Sequence, residues 1–414
     1  MSNYLRKIMM NCDYENLTPL TFTAEAAGST VKLTITGSPT VEGLQYRIGT
    51  SGGWSPYTID TTLTLTNVGD CVQFQNTLET LGTGDSNYAS FVITGQIAAS
   101  GNCMSMLNYS DKVSPYAFNR LFEDCSSLTS APELPATTLD YYCYQYMFHN
   151  CTSLTSAPEL PATTLSAGCY GHMFNGCSSL TSAPELPATS LGTYCYSAMF
   201  IYCKSIVNAP ELPATTLAGY CYQYMFYGCK SIVNAPELPA TTLAGYCYQF
   251  MFQGCSSLVN APELPVKTLA PGCYYSMFQG CSSLVNAPEL PVKTLTPNCY
   301  ARMFANCTSL VNAPKLSATS LGTYCYSAMF QNCSSLVNAP ELPATTLANY
   351  CYHNMFNRCT KLNYIKVNFS SWIDNTTNNW VAGVSSTGVF NAPSDLPVIV
   401  GDSNVPTGWT VTNN

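Results

Sequence analysis

The chain has 414 residues, of which 46% are hydrophobic and only 9% charged, against about 25% charged in an average globular domain. Fifteen basic residues face 23 acidic ones, for a net charge of -8, which argues against phosphate-backbone binding, a task for clustered Lys and Arg. No window approaches the roughly 18 to 20 apolar residues of a membrane span.

At the N-terminus the apolar run after Arg6 and Lys7 lasts three residues before Asn11, short of the roughly 7 to 15 of a secretory signal. Residues 1–16 are expected to be an attachment segment. Apolar and polar residues then alternate at 20–24, 31–35, 44–48, 63–66, 71–74 and 91–94, the pattern of half-buried strands. With turn-forming Gly37, Pro39, Gly52 and Gly53 between them, residues 17–100 read as a small all-β sandwich, broadly immunoglobulin-like. Residues 95–101 are expected to lead out of it, and 101–124 to form a linker and first cap.

From Cys125 to Cys359 a cysteine recurs every 26 residues, and a second series runs in step from Cys143 to Cys351. Each unit reads C-x-S-L/I-x-x-A-P-E-L-P-A-T-T-L-x-x-x-C-Y-x-x-M-F-x-x-C. Self-similarity at such a period marks a solenoid whose units bury their apolar faces only against one another. Nine units fill 125–358, and 359–414, with Trp372, Trp380 and Trp409, are the C-terminal cap. Cys143, Met147 and Cys151 lie at i, i+4 and i+8, which reads as one face of a short helix. The run from Leu128 to Leu134 reads as a short parallel strand limited by Pro132 and Pro135. The expected fold is therefore a mixed α/β repeat solenoid of leucine-rich-repeat type, with 26-residue rungs of short parallel strands plus short helices, behind the β-sandwich. Strands at ~4.8 Å against helices at ~8 to 10 Å would curve it. At those helix spacings a disulfide cannot reach between rungs, so the cysteines are expected to be buried free thiols.

The repeat resembles the BspA-like leucine-rich repeats, whose rung ends in apolar-Phe-x-x-Cys followed by x-x-Leu, over about residues 116–369. The strand-rich front and the segments 380–384 and 406–411 look like those that accompany such repeats in proteins of gut Bacteroidetes and their phages. The resemblance implies adhesion or ligand binding at a surface. Together with the missing export signal it places the protein in a virion, as a tail or capsid-associated component, with a bacterial cell-surface adhesin as the alternative.

Catalysis finds little footing. His149, His172 and His353 sit at different offsets within their units, no hydrolase elbow, phosphate loop or H-E-x-x-H helix is present, and the cysteine spacings do not suit zinc. A carbohydrate-active enzyme would need two carboxylates in distinct environments. No cofactor and no metal are expected. Two strips remain as binding candidates. Glu133, Glu159, Glu185, Glu211, Glu237, Glu263 and Glu289 fill one offset, continued by Glu341 after Lys315; they are a solvated stripe or a track for cations or a basic partner. Tyr146, His172, Tyr202, Tyr224 and Tyr227 vary between copies on the outward face, through relaxed constraint or through recognition, for which Tyr is well suited. The expected partners are a protein or glycan on a cell surface and neighbouring virion or surface proteins, further copies of this chain included.

Overall fold

The computed structural model describes residues 18–39, 41–78 and 81–413; the proposed attachment segment 1–16 lies outside them. Two compact units divide the chain, Met1–Glu185 and Leu186–Asn414.

In the first unit, β1 (Leu20–Ala24), β2 (Ser29–Thr36), β3 (Leu44–Ile48), β4 (Ser55–Pro56), β5 (Leu63–Leu65), β6 (Cys71–Asn76), β7 (Tyr88–Thr94) and β8 (Ile97–Ser100) precede the repeats, followed by β9 (Lys112–Val113), β10 (Leu128–Ser130) and β11 (Thr138–Leu139). Strands β5, β2 and β7 make one sheet, and β10, β8, β1, β6, β3 and β4 another. Alternation sets which face is buried: Val31 and Leu33 of β2 are fully covered. Phe22 and Phe74 of the larger sheet meet Phe91 of the smaller at ring distances of 4.7 and 5.3 Å. Residues 95–101, expected as connecting chain, contain β8, which runs antiparallel to β1 and parallel to β10. The sheet thus extends directly into the first repeat, where Phe91 stacks on Phe122 at 5.5 Å and the Cys125 thiol donates to the Phe91 carbonyl at 3.1 Å.

The repeats overturn the mixed α/β expectation. Among the described residues the one helical element is a 3-10 turn at Cys103–Leu107, and there is no α-helix. Each C-Y-x-x-M-F-x-x-C segment is instead a chain of turns. Its odd residues bond within the rung: Gln145 N to Tyr142 O, Met147 N to Tyr144 O and His149 N to Tyr146 O, at 3.0 to 3.3 Å. Its even residues bond to the next rung: Tyr144 N to Cys169 O, Tyr146 N to Gly171 O and Phe148 N to Met173 O, at 2.9 to 3.0 Å. The alternation is possible because every fourth residue is left-handed, with φ of 54° at Tyr142, 56° at Tyr146 and 59° at Asn150. A left-handed residue every fourth position cannot continue a right-handed helix. Asn, Gly or Asp, which tolerate this conformation best, immediately precede the first-series cysteine in eight of ten cases, from Asp124 and Asn150 to Asn332.

The proline side is also leaner than expected. Beyond β10 and β11 the rungs meet through single parallel bridges, such as Asn208 with Asn234 and Asn234 with Asn260, because the recurring prolines have no N–H to extend a ladder. With no helices to hold rungs at 8 to 10 Å, buried rings of successive rungs lie between 5.3 Å (Phe122–Phe148) and 6.1 Å (Tyr326–Tyr352) apart. The helix spacing of 8 to 10 Å from which curvature was expected does not occur among the described residues. Distance also no longer forbids disulfides, yet the described cysteines are free and all but Cys71 are buried. First-series thiols donate instead to a phenylalanine carbonyl of the preceding rung, as Cys151 to Phe122, Cys177 to Phe148 and Cys281 to Phe252, each at 3.1 Å.

Leu128, Leu134, Leu139, Cys143, Met147 and Cys151 face inward as expected, whereas Ala136 rather than Ala131 is the buried alanine. Tyr144 and Phe148 are fully covered as well. Stacked columns result: Tyr144 on Tyr170 at 5.8 Å in the first unit, Tyr222 on Tyr248 at 5.7 Å in the second. The phenol oxygens of Tyr144, Tyr222, Tyr326 and Tyr352 are buried without a hydrogen-bond partner, a state that costs about 1 to 3 kcal/mol per group. Tyr222→Phe keeps the stack and removes the orphaned hydroxyl, so it is expected to raise stability by about 1 kcal/mol in urea unfolding. A loss of that size would show that the phenol is bonded after all.

The second unit ends in the parallel strands β12 (Tyr364–Lys366), β13 (Val389–Ala392) and β14 (Thr410–Asn413). Trp380 is fully buried against Tyr352, Phe356 and Phe390, and its indole donates to Asn404 O at 2.9 Å. It closes the column with an apolar body and a satisfied polar tip.

Candidate recognition surface

The turn segments carry their outward side chains in columns, because each residue faces its equivalent 25 or 26 positions later. Tyr146, His172, Tyr202 and Tyr224 all occupy left-handed positions, with φ of 56° to 57°; Tyr227 does not. In the second unit Tyr202 meets Tyr227 edge-on at 5.5 Å, Tyr227 meets Tyr224 at 5.7 Å, and Tyr224 stacks on Phe250 at 4.5 Å. Phe250 then meets Tyr275 at 5.2 Å. Three of the predicted residues thus form one aromatic patch with two that went unpredicted. Phe250 lies one period after Tyr224, at the same offset, whereas Tyr275 lies 51 residues after it, one short of two periods, and joins the patch from the neighbouring offset.

Tyr146 and His172 belong to a cluster in the first unit. Their rings stack at 4.5 Å, His149 approaches Tyr146 at 5.6 Å, and the Arg120 guanidinium lies 4.2 Å over the Tyr146 ring. His149 and His172, at different offsets in the sequence, are therefore half-buried around one tyrosine. Their unequal offsets, counted across adjacent rungs, put them on two sides of it. Glu123 accepts from Arg120 and lies 3.2 Å from His149 Nδ1. Burial pushes the Glu123 carboxyl up, but the hydrogen bonds and charges of His149 and Arg120 more than offset this and hold it below its ordinary value. Burial, and then the charges of His149 and Arg120, push His172 down to about 4, so its ring is neutral at pH 7. With Glu123 shared between two bases, the cluster fixes a surface; it offers no free general base beside a nucleophile.

The glutamates form a separate strip on the proline segments. Glu133, Glu159 and Glu185 in the first unit and Glu211, Glu237, Glu263 and Glu289 in the second are all exposed, as are Lys315 and Glu341. Glu341 pairs with Lys366 at 3.0 Å. Glu133 and Glu159 flank an open cleft of about 410 Å³ lined chiefly by Pro132, Pro135, Pro158 and Pro161. Among the described residues no three His, Cys, Asp or Glu side chains gather as a metal site. Burial pushes the thiols of Cys169, Cys255 and Cys307 up to about 12, far from the thiolate that nucleophilic chemistry requires.

The family model for the BspA type leucine rich repeat region, in several copies, matches residues 110–233, 172–300, 202–325 and 274–399. Neither a curated protein nor a solved structure matches the chain.

Proposed function

Because the chain belongs to the BspA-type leucine-rich repeat family, we propose that it is a non-enzymatic adhesion or structural protein whose turn face binds a protein or glycan on a cell surface. The observation that carries this reading is the display of large side chains on left-handed backbone. Tyr194, Tyr202 and Tyr324 have φ near 57° and are 37 to 47% exposed. Each costs about 1 kcal/mol that glycine would avoid, offset in part where Tyr194 stacks on Tyr220 at 4.6 Å and Tyr324 on Tyr350 at 4.5 Å. Strain kept on an exposed aromatic face points to contact rather than to packing.

The setting we propose is a virion, in its tail or capsid, with the two-sheet front at residues 17–100 serving as an immunoglobulin-like attachment domain. The family itself favours the second setting, a bacterial cell-surface adhesin. Immunogold labelling with an antibody to residues 125–358 separates the two, by decorating intact particles or cells.

Glycine substitution tests recognition without unfolding the protein, since glycine is at ease where these tyrosines are strained. The triple variant Tyr202→Gly, Tyr224→Gly, Tyr324→Gly is expected to unfold within about 1 kcal/mol of the parent, while its binding to the target surface falls at least ten-fold. Undiminished binding by the folded variant would dismiss the turn face.

A further inference from the structure

The geometry points to a binding site for an acidic saccharide, a pyranose carrying a carboxylate, in a cleft around Arg302 on the turn face of the second unit. This rests on the recognition reading above and names the ligand class for one part of that face. The cleft, about 330 Å³ and open to solvent, is at the small end of ligand sites, the size for a single sugar residue. It exists because the outward pairs Ala301-Arg302 and Ser327-Ala328 differ from Gln223-Tyr224 and Gln249-Phe250 of the earlier rungs. Ala301 and Ala328 are 2% exposed and, with Ser327, leave a floor: Ala328 stands at the offset of Tyr224 and Phe250, and Ala301 and Ser327 stand at that of Gln223 and Gln249.

Four larger side chains line the depression. Tyr275 is braced edge-on by Phe250 at 5.2 Å, and Tyr324 is stacked on Tyr350 at 4.5 Å, so two rigid rings are available to the apolar face of a pyranose. Arg302 is exposed and has no ion-pair partner among the described residues. His353, also in the lining, has its Nε2 2.8 Å from Asn354 Nδ2; with Asn354 donating, that nitrogen is the acceptor of a neutral ring. Burial and then Arg302 lower the histidine's affinity for a proton, so Arg302 carries the only charge among the lining residues. In a chain of net charge -8, an unpaired guanidinium lining the same cleft as two tyrosines suits an anion. Its planar fork matches a carboxylate, while Asn298, Asn354 and Ser327 offer donors and acceptors to ring hydroxyls.

The experiment titrates the full chain with glucuronate, N-acetylneuraminate, glucose and a glutamate-rich peptide, followed by ligand-observed NMR. We expect saturable binding of the two acidic sugars at least ten-fold tighter than that of glucose. Arg302→Met should abolish that margin and Arg302→Lys should keep part of it, both with unchanged unfolding midpoints. Glucose binding as well as glucuronate, the methionine variant retaining the margin, or the peptide outcompeting both sugars would each overturn the site. The target-surface assay on Arg302→Met separates this from the wider reading. No sugar binding together with undiminished adhesion removes the cleft and leaves the tyrosine face standing.

Discussion

Phe278→Ala is expected to destabilise the second unit by about 3 to 5 kcal/mol, the range for emptying a fully buried aromatic position. Phe278 is 0% exposed and lies between Phe252 at 5.7 Å and Phe304 at 5.8 Å, nearly parallel to both. Its amide donates to Met303 O at 3.0 Å, and its carbonyl accepts from Cys281 N and from the Cys307 thiol, each at 3.1 Å. The backbone is thus tied within its own rung and to the following one and cannot collapse into the void, which is the condition under which a cavity costs most. Because each rung is stabilised mainly by its neighbours, faster amide exchange should reach Phe252 and Phe304 as well as the mutated rung. Val285→Ala, at a position 38% exposed, serves as the comparison and is expected to shift stability by no more than about 0.5 kcal/mol. Equal losses for the two variants in urea unfolding would show that the ring column does not hold the rungs together.

How much of this was readable in advance turns on the number four. Cys143, Met147 and Cys151 recur at i, i+4 and i+8, which fits one face of a helix and equally fits turns punctuated by a left-handed residue every fourth position. A helix advances 3.6 residues per turn, so a strict period of four drifts off its face, and the Gly, Asn or Asp before eight of the ten first-series cysteines is a poor helix former. Those two signals were present and outvoted by spacing. The strands of the front were legible because alternation has only one physical reading: residues 20–24 and 44–48 coincide with β1 and β3. Strand β8 was hidden because Ile97–Ser100 is short and flanked by Gly95 and Gly101; its pairing with β10 is a tertiary fact.

The candidate surface was legible by column and not by cluster. Tyr202, Tyr224 and Tyr227 could be selected from their variability and exposure, but the partners that complete their patch follow only from knowing that rungs are about 5 Å apart. Helices at twice that distance would have kept the rings of successive rungs out of contact. The same error concealed the depression at Arg302, since Ala301, Ser327 and Ala328 make a floor only when adjacent rungs touch.

Acidification is expected to destabilise the first unit in two successive steps, the first set by His172. Its folded affinity for protons corresponds to about 4, against about 6.5 in an unfolded chain. A base whose folded value is depressed favours the folded state fully above 6.5, and that contribution is lost as the pH falls toward 4. At about 1.4 kcal/mol per pH unit, the loss reaches at most about 3 kcal/mol. Glu123, held below its ordinary value by His149 and Arg120 despite its burial, adds a second loss in the same direction at still lower pH, as the carboxylate takes up a proton and releases both partners. His172→Asn suits the left-handed backbone and titrates nothing, so it should flatten the first step while leaving the second. The groups facing His172 are Tyr146, which stacks on it, Asn175, whose amide lies 3.3 Å from its Nδ1, and the charges of His149 and Arg120. Urea unfolding of both proteins at pH 7.5, 5.5 and 4, with amide exchange read at Phe148 and Asn150, measures the difference. Parallel pH profiles for parent and variant would mean that the His172 ring takes up its proton in the folded protein as readily as in water.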